Sequence, residues 1–396
     1  MISFEKQGIL TLIKSALTGE KLSLPDEFNM DFALQIAKNH QIYGLIYYGA
    51  FNCGIDKNLP QMQELFVSVY KNLVISEGQV YEIKNIIKAF DENGIDYMLL
   101  KGTLLKGMYP KKELRAMGDA DILIKMEQYD RIKPVMQGLG FEERTESDHE
   151  LIWRKPQLLL ELHKRLVPSY NKDYFAYFGD GWQLAKPNPS FPHRFEMSDE
   201  DQMIYLFTHF AKHYRDAGIG IRHVVDLYVY RNAYPHLDEK YIKEELEKLE
   251  IYEFYKNMLD TLDVWFSGEQ GNEKTEYITN VIFGSGVFGD YRKSRISQTI
   301  KASATKKSSK NRKFRRMMQM VFPSKQTMSF HYPILEKKGF SFLLPFCWIL
   351  RLFVVLFFKR ERAKDFYKTM NSFSASDISD YEQTLRFVGL DFNFKE

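Results

Sequence analysis

Two aspartates one residue apart, Asp119 and Asp121, are the pair in this sequence best suited to chemistry. They precede a short apolar run, Ile122-Leu123-Ile124, that reads as a strand. Alternate residues of a strand project to one face, so both carboxylates would emerge together. Side by side they repel unless a cation lies between them, and hard oxygen donors of this kind suit Mg²⁺. A third acid, Glu161, ends the run Leu158-Leu159-Leu160. A carboxylate there is costly to bury unless it is paired or metal-bound. Its other readings are a solvent-facing edge position or a pair with Arg154 or Lys164. His163 lies two residues on, on the same face as Glu161, and would orient that acid or touch substrate.

The elements that must position these groups follow from apolar spacing and turn residues. Tyr97 to Leu100 is a short apolar run, about right for a buried strand. Lys101-Gly102-Thr103 breaks it, and Thr103 is placed to cap a helix that stops near Tyr109-Pro110. Glu127 to Leu139 reads as a second helix, closed by Gly138 and Gly140. Strands are expected around Leu151 to Trp153 and Leu158 to His163. The order strand, helix, strand, helix, strand, strand predicts a small mixed sheet with helices packed against it.

The stretch from Asp96 to Leu123, with Leu100-Lys101-Gly102, Arg115 and Gly118-Asp119-Ala120-Asp121, resembles the nucleotidyltransferase superfamily with the DNA polymerase beta-like catalytic fold. Its form is most similar to a bacterial branch of uncharacterised nucleotidyltransferases. Two features depart from the usual pattern. Gly102-Thr103, preceded by Lys101, stands where Gly-Ser is usual, and 15 residues separate Thr103 from Asp119. The resemblance covers roughly residues 80 to 165. It implies an α+β fold, a small mixed-sheet nucleotidyltransferase core embedded in a mostly helical chain. It implies an enzyme that moves a nucleoside monophosphate from an NTP to a hydroxyl acceptor. In that reading Asp119, Asp121 and Glu161 are catalytic and hold one or two Mg²⁺ ions, for which Mn²⁺ can substitute. Nucleotide binding falls to Lys101, Gly102, Thr103, Arg115 and His163. The backbone N–H groups of residues 102 to 104 would cradle phosphates at a helix N-terminus.

Composition bounds the rest. The 396 residues are 44% hydrophobic and 27% charged, an ordinary soluble balance with room for two or three domains. A net charge of only +3 does not mark the whole chain as a nucleic-acid binder. Cys53 and Cys347 are far apart in apolar surroundings and read as buried thiols of a reducing compartment. The first residues lack a secretory pattern, so the expected location is cytoplasmic.

Five regions are expected: helical residues 1–90, the catalytic core 91–186, a helical region 187–283, a basic flexible linker 284–330, and an apolar helix with a tail, 331–396. In the third region, Ser198 opens a helix on which His209 and His213 are four apart. As a zinc pair they lack the Glu of a His-Glu-x-x-His motif. They read as cleft-lining groups that touch phosphate or base, or as packing. Arg222 and Asp226 open the next helix and are spaced to pair, with Arg222 a further candidate for the nucleotide site. Gly284-Ser-Gly-Val-Phe-Gly289 lacks the strand-helix context of a dinucleotide motif and reads as a mobile loop. Arg231-x4-His236 is the only hint of a helical ribonuclease.

Between Arg292 and Arg316 stand eleven Lys or Arg and no acid. The stretch reads as flexible when free, and as attractive to RNA or an anionic membrane. The apolar run Gly339 to Phe358 is interrupted by Pro345 and Arg351, which disfavours a membrane span. Packing of Leu343 to Phe358 against the N-terminal helices is the favoured expectation, over an interfacial anchor. Two other functional readings stand beside the enzyme. One is an inactive nucleotide- or RNA-binding module of the same fold, and the other a membrane-peripheral factor in surface-glycan assembly.

Overall fold

The computed structural model describes residues 2–392, apart from 170, 288, 302–308, 330, 331, 338, 359, 362, 363, 366, 367 and 369–371. The chain forms two compact units, one of Met1–Lys212 with Ile219–Phe288, the other of His213–Gly218 with Gly289–Glu396.

The first unit is built on a seven-stranded mixed sheet. Its strands are β1 (Tyr97–Leu100), β2 (Ala120–Ile124), β3 (Glu142–Glu146), β4 (Glu150–Lys155), β5 (Leu158–His163), β6 (Lys186–Pro187) and β7 (Arg194–Glu196). They lie in the order β3-β4-β5-β2-β1-β7-β6. The pairing β1–β2 is antiparallel, whereas β2–β5 is parallel and sets Asp121 opposite Glu161.

Period-2 alternation then sorts the side chains. Ile122 and Ile124, Leu158, Leu160 and Leu162, and Leu151 and Trp153 share one buried cluster. Ile83, Ile86 and Phe90 of helix α4 (Pro60–Glu92) and Ile132 and Met136 of α6 (Tyr129–Gly138) complete it. Each such side chain contributes about 1.5–3 kcal/mol through burial. The intervening residues, Asp121, Glu161 and His163, are left to the opposite face. An all-apolar strand would bury both faces; the acids in β2 and β5 reserve one for chemistry.

The N-terminal helices are α1 (Phe4–Thr18), α2 (Met30–His40) and α3 (Tyr43–Asn52). Helical structure was expected throughout residues 1–90, and α2 and α3 fall within it as separate helices. Helix α2 ends after His40 because Gln41 adopts a left-handed conformation, with φ of 53°. Asn29 caps α2 by accepting from the N–H groups of Asp31 and Phe32. Helix α3 lies close against its neighbours through two glycines. A Cβ on Gly49 would overlap the Leu12 carbonyl, and one on Gly44 the Glu113 carbonyl.

Helix α5 (Lys101–Leu105) corrects one expectation. It begins at Lys101 with Leu100 as its N-cap residue, so Thr103 lies inside it and caps nothing. A short 3₁₀ turn, Lys106–Met108, carries the chain on towards Tyr109. Beyond the sheet come α7 (Lys172–Phe178), α8 (Asp199–Asp216), α9 (Ile221–Ala233), α10 (Glu239–Lys248), α11 (Tyr252–Leu262) and α12 (Glu273–Ser285). Gly286 closes α12, and the Val287 N–H donates to the Asn39 carbonyl at 2.9 Å.

In the second unit the basic stretch carries helices α13 (Tyr291–Lys301) and α14 (Ser309–Val321) where a flexible linker was expected. Residues 302–308 of that stretch lie outside those described. Ile296 and Ile300, four apart and buried, supply the face that fixes α13. Lys301 Nζ lies 2.6 Å from Asp216 Oδ2. Then follow α15 (Lys325–Ser329), α16 (Leu344–Phe358) and a final helix, Ala375–Phe387. The core beside α16 is Met328, Leu335 and Cys347, flanked by Tyr332, Leu343, Leu344 and Trp348. Both cysteines are free; Cys347 is buried and Cys53 only half-buried. Among the described residues no helix is long and apolar enough to cross a membrane.

Candidate active site

Asp121 is the most buried of the three expected carboxylates. Its Oδ1 accepts from Lys101 Nζ at 2.9 Å and lies 2.9 Å from His163 Nε2. Its backbone N–H donates to the Thr103 hydroxyl at 3.1 Å, which explains where that hydroxyl goes. Burial opposes ionisation of Asp121, but Lys101 and His163 outweigh it and hold the carboxyl well below the usual range. Glu161, across the β2–β5 register, is half-buried, with Oε2 3.5 Å from His163 Nε2. Asp119 stands just before β2, half-buried, at the mouth of the cleft. Burial and the nearby charges of Asp121 and Glu161 push its pKa up to about 6.

The donor atoms of Asp121, Glu161 and His163 lie within 4.8 Å of one another, a group able to hold a metal ion. A second such group, His149, Glu150 and His163, adjoins it on β4, with His149 Nε2 3.0 Å from Glu150 Oε2. The donor chemistry of the first group fits a hard divalent ion. Two carboxylates and an imidazole converge there, and Asp119 nearby is pushed towards protonation by the same two acids.

Lys101 has two unusual properties. Its φ of 39° is one that a residue with a Cβ rarely adopts. Its ammonium is buried, which lowers the pKa, yet Asp121 draws it well above the ordinary lysine value. Gly102 follows, where a Cβ would sit 3.0 Å from Arg115 Nη1.

A cleft of about 100 Å³ opens beside these groups. Its lining includes Lys101, Gly102, Arg115, Asp119, Asp121, His209 and Arg222. His209 is among the residues that line it. His213, one turn further on α8, is not among the lining residues and falls in the segment 213–218 counted with the second unit.

The cations of the cleft are distributed differently from the expectation. Asp226 pairs with Arg115, not with Arg222. Arg115 Nε and Nη2 donate to the two Asp226 oxygens at 2.7 and 2.9 Å, and the Tyr109 hydroxyl adds a third bond at 2.7 Å. This buried fork commits Arg115 to structure. Arg222 instead donates from Nη1 to the Ala116 carbonyl at 3.1 Å, and its buried Nε has no partner among the described residues. Burial, reinforced by Arg115, lowers its pKa, so an incoming anion would find it poorly compensated. The sequence reading also missed Gln79 of α4, whose Nε2 donates to the Met117 carbonyl at 2.9 Å and steadies the loop before Asp119. No local signal marks that contact, because the partners are 38 residues apart.

A family profile described as uncharacterised nucleotidyltransferase matches residues 26–267, more than half of the sequence. The chain belongs to this family. The match takes in the sheet, the three acids and helices α8 and α9, and so covers the whole cleft of this nucleotidyltransferase. Among solved structures, the solution structure of the antibiotic-resistance factor ANT(2'')-Ia is similar over 49% of this chain and 100% of that one. Its sequence identity is 13% and its TM-score 0.32. No curated protein matches this nucleotidyltransferase.

Proposed function

We propose that this nucleotidyltransferase moves a nucleoside monophosphate from an NTP to a hydroxyl acceptor, releasing pyrophosphate, with Mg²⁺ held by Asp119, Asp121 and Glu161. The observation that carries this reading is the β2–β5 register. It sets Asp121 beside Glu161, and Asp119 and Asp121 line the cleft together with Lys101, which pairs with Asp121. When bound, the divalent ion would neutralise the triphosphate and lower the pKa of the attacking hydroxyl.

The chain's own residues supply position and charge. His163 and Lys101 fix one oxygen of Asp121 and leave the other for the ion. Arg222 and His209 face the cleft from the helical side, where the leaving pyrophosphate gathers charge. The acceptor oxygen forms its bond to the α-phosphorus as the bond from that phosphorus to the β-bridging oxygen breaks, and pyrophosphate departs with the electron pair. Catalysis of this kind rests on orientation and electrostatics. An inactive binding module of the same fold would have no use for three acids around one buried lysine. Two free cysteines accord with a cytoplasmic setting.

The test is incubation of the full chain with each α-³²P-labelled NTP, Mg²⁺ or Mn²⁺, and cell extract, followed by location of the label in protein, RNA or small molecules. Label transfer that is lost in Asp119→Asn, Asp121→Asn and Glu161→Gln supports the reading. No transfer with any NTP, or equal transfer by all three variants, overturns it.

A further inference from the structure

Helix α16 presents two faces of opposite fate. The inner face carries Leu344, Cys347, Trp348 and Arg351, at helical spacing. Cys347 is buried, Trp348 Nε1 donates to the Pro323 carbonyl at 2.8 Å, and Arg351 Nη1 donates to the Met320 carbonyl at 2.7 Å. The charge of Arg351 is therefore used within the protein and does not interrupt the other face.

The outer face is a stripe of large apolar side chains. Phe346, Ile349, Leu350, Phe353 and Phe357 are 62, 65, 56, 54 and 67% exposed. They fall at i, i+3, i+4, i+7 and i+11, the spacing a helix uses for the side it hides. Phe342, in the turn just before, is exposed as well. A contiguous apolar patch of this kind marks an interaction site.

The surroundings of the stripe select its occupant. Helix α14, tied to α16 through the Met320 carbonyl, exposes Phe314 and Met318. Lys337 and Arg360, on either side of α16, are exposed. A second copy of the chain seated on the stripe would bring a second set of these cations close by, which like charges oppose. RNA would pair with the cations but leave the aliphatic part of the stripe, Ile349 and Leu350, in water. An anionic bilayer satisfies both, with phosphates for the cations and hydrocarbon for the phenylalanines. At 15 residues α16 is about 22 Å long, short of the roughly 30 Å hydrocarbon core, so it would lie in the interface and not cross it.

We propose that the second unit docks the protein reversibly on anionic membrane surfaces, with the outer stripe of α16 in the headgroup boundary and the exposed Lys337 and Arg360 at its two ends against the lipid phosphates. This surface is separate from the transfer site, and its test needs no activity. The full chain is sedimented with phosphatidylcholine vesicles, and with phosphatidylcholine–phosphatidylserine vesicles, at low and high salt. Binding is expected only to the anionic vesicles, weakening with salt. The double variant Phe353→Ser, Phe357→Ser should lose about tenfold in binding or more, with its circular dichroism unchanged, because both side chains are exposed. Failure to bind either vesicle, or equal binding by wild type and variant, overturns the proposal. So does a two-chain mass in light scattering that the same substitutions return to one. Retention on RNA with no vesicle binding would assign the surface to nucleic acid and likewise overturn it.

Discussion

The sheet of the first unit and helix α16 of the second depart from ordinary packing in opposite directions. At and beside the sheet, charge lies inside: Asp121 of β2, Lys101 of α5, Arg115 and Asp226 of α9 are buried or nearly so, each matched to an opposite partner within 3 Å. In α16, Phe346, Phe353 and Phe357 are more than half exposed. Buried ions cost desolvation and exposed phenylalanines forgo burial, so neither arrangement serves stability alone. The difference is that the first unit places charge inside and matches it by internal pairing, whereas the second leaves large apolar side chains outside.

Substitution should separate these two economies, beginning with the acids. Asp121→Asn should lower transfer by about 10³-fold or more and also destabilise the fold by about 3 kcal/mol, because it strands a buried Lys101. Asp119→Asn should lose activity similarly yet keep or gain stability, since Asp119 is opposed by its neighbours. Chemical denaturation beside the labelled-nucleotide assay checks both. Equal stability losses in the two variants would end the claim that Asp121 alone is internally paired.

Protonation sharpens the comparison at a site away from the acids. His40 receives the Ile221 N–H on Nδ1 and sits with Nε2 3.2 Å from the Phe283 carbonyl. Burial lowers its pKa from 6.5 to about 4, against a smaller opposing effect of that carbonyl. The unfolded chain therefore binds the proton first as pH falls. The stability contributed is complete above pH 6.5 and is lost as pH falls towards about 4, to the extent of about 3 kcal/mol. Urea midpoints measured across that window, for wild type and His40→Gln, should show a steeper decline in wild type. Parallel declines would count against a neutral, buried His40.

The smallest effect is expected in α16. Phe357→Ser should change stability by under about 0.5 kcal/mol, as surface substitutions do, whereas Trp153→Ala in the sheet should cost about 3–5 kcal/mol. A large loss from Phe357→Ser in thermal unfolding would mean that the outer stripe is core after all.

Local pattern carried much of the fold and part of the site. The alternation in Leu158 to His163 placed Glu161 and His163 on one face, and the Asp-x-Asp spacing located β2, because period 2 needs no partner to be read. The helical character of residues 1–90 was also expected, and α1 to α4 lie there. Contacts between distant residues were not legible. Arg115 finds Asp226 across 111 positions, and nothing near either residue says so. The positive φ of Lys101 depends on the strand and helix it joins, and Lys is a poor advertisement for it. Strands β6 and β7 are only two and three residues long, too short for periodicity to register. In the basic stretch, charge density masked the pair Ile296 and Ile300 that makes α13 a helix. In α16 the composition was plain, but its outward side was settled only when Arg351 met the Met320 carbonyl.

The two glycines of α3 have a consequence for how this sequence can vary. Gly49 rests on the Leu12 carbonyl and Gly44 on the backbone of Glu113 and Leu114, the residues immediately before Arg115. Helix α3 is thus a spacer of fixed thickness between α1 and the segment that delivers the arginine. A single methyl group at position 44 would be transmitted as a displacement to the Arg115–Asp226 fork, some 70 residues further along the sequence. Positions that carry no reactive group would then tolerate as little change as those that do.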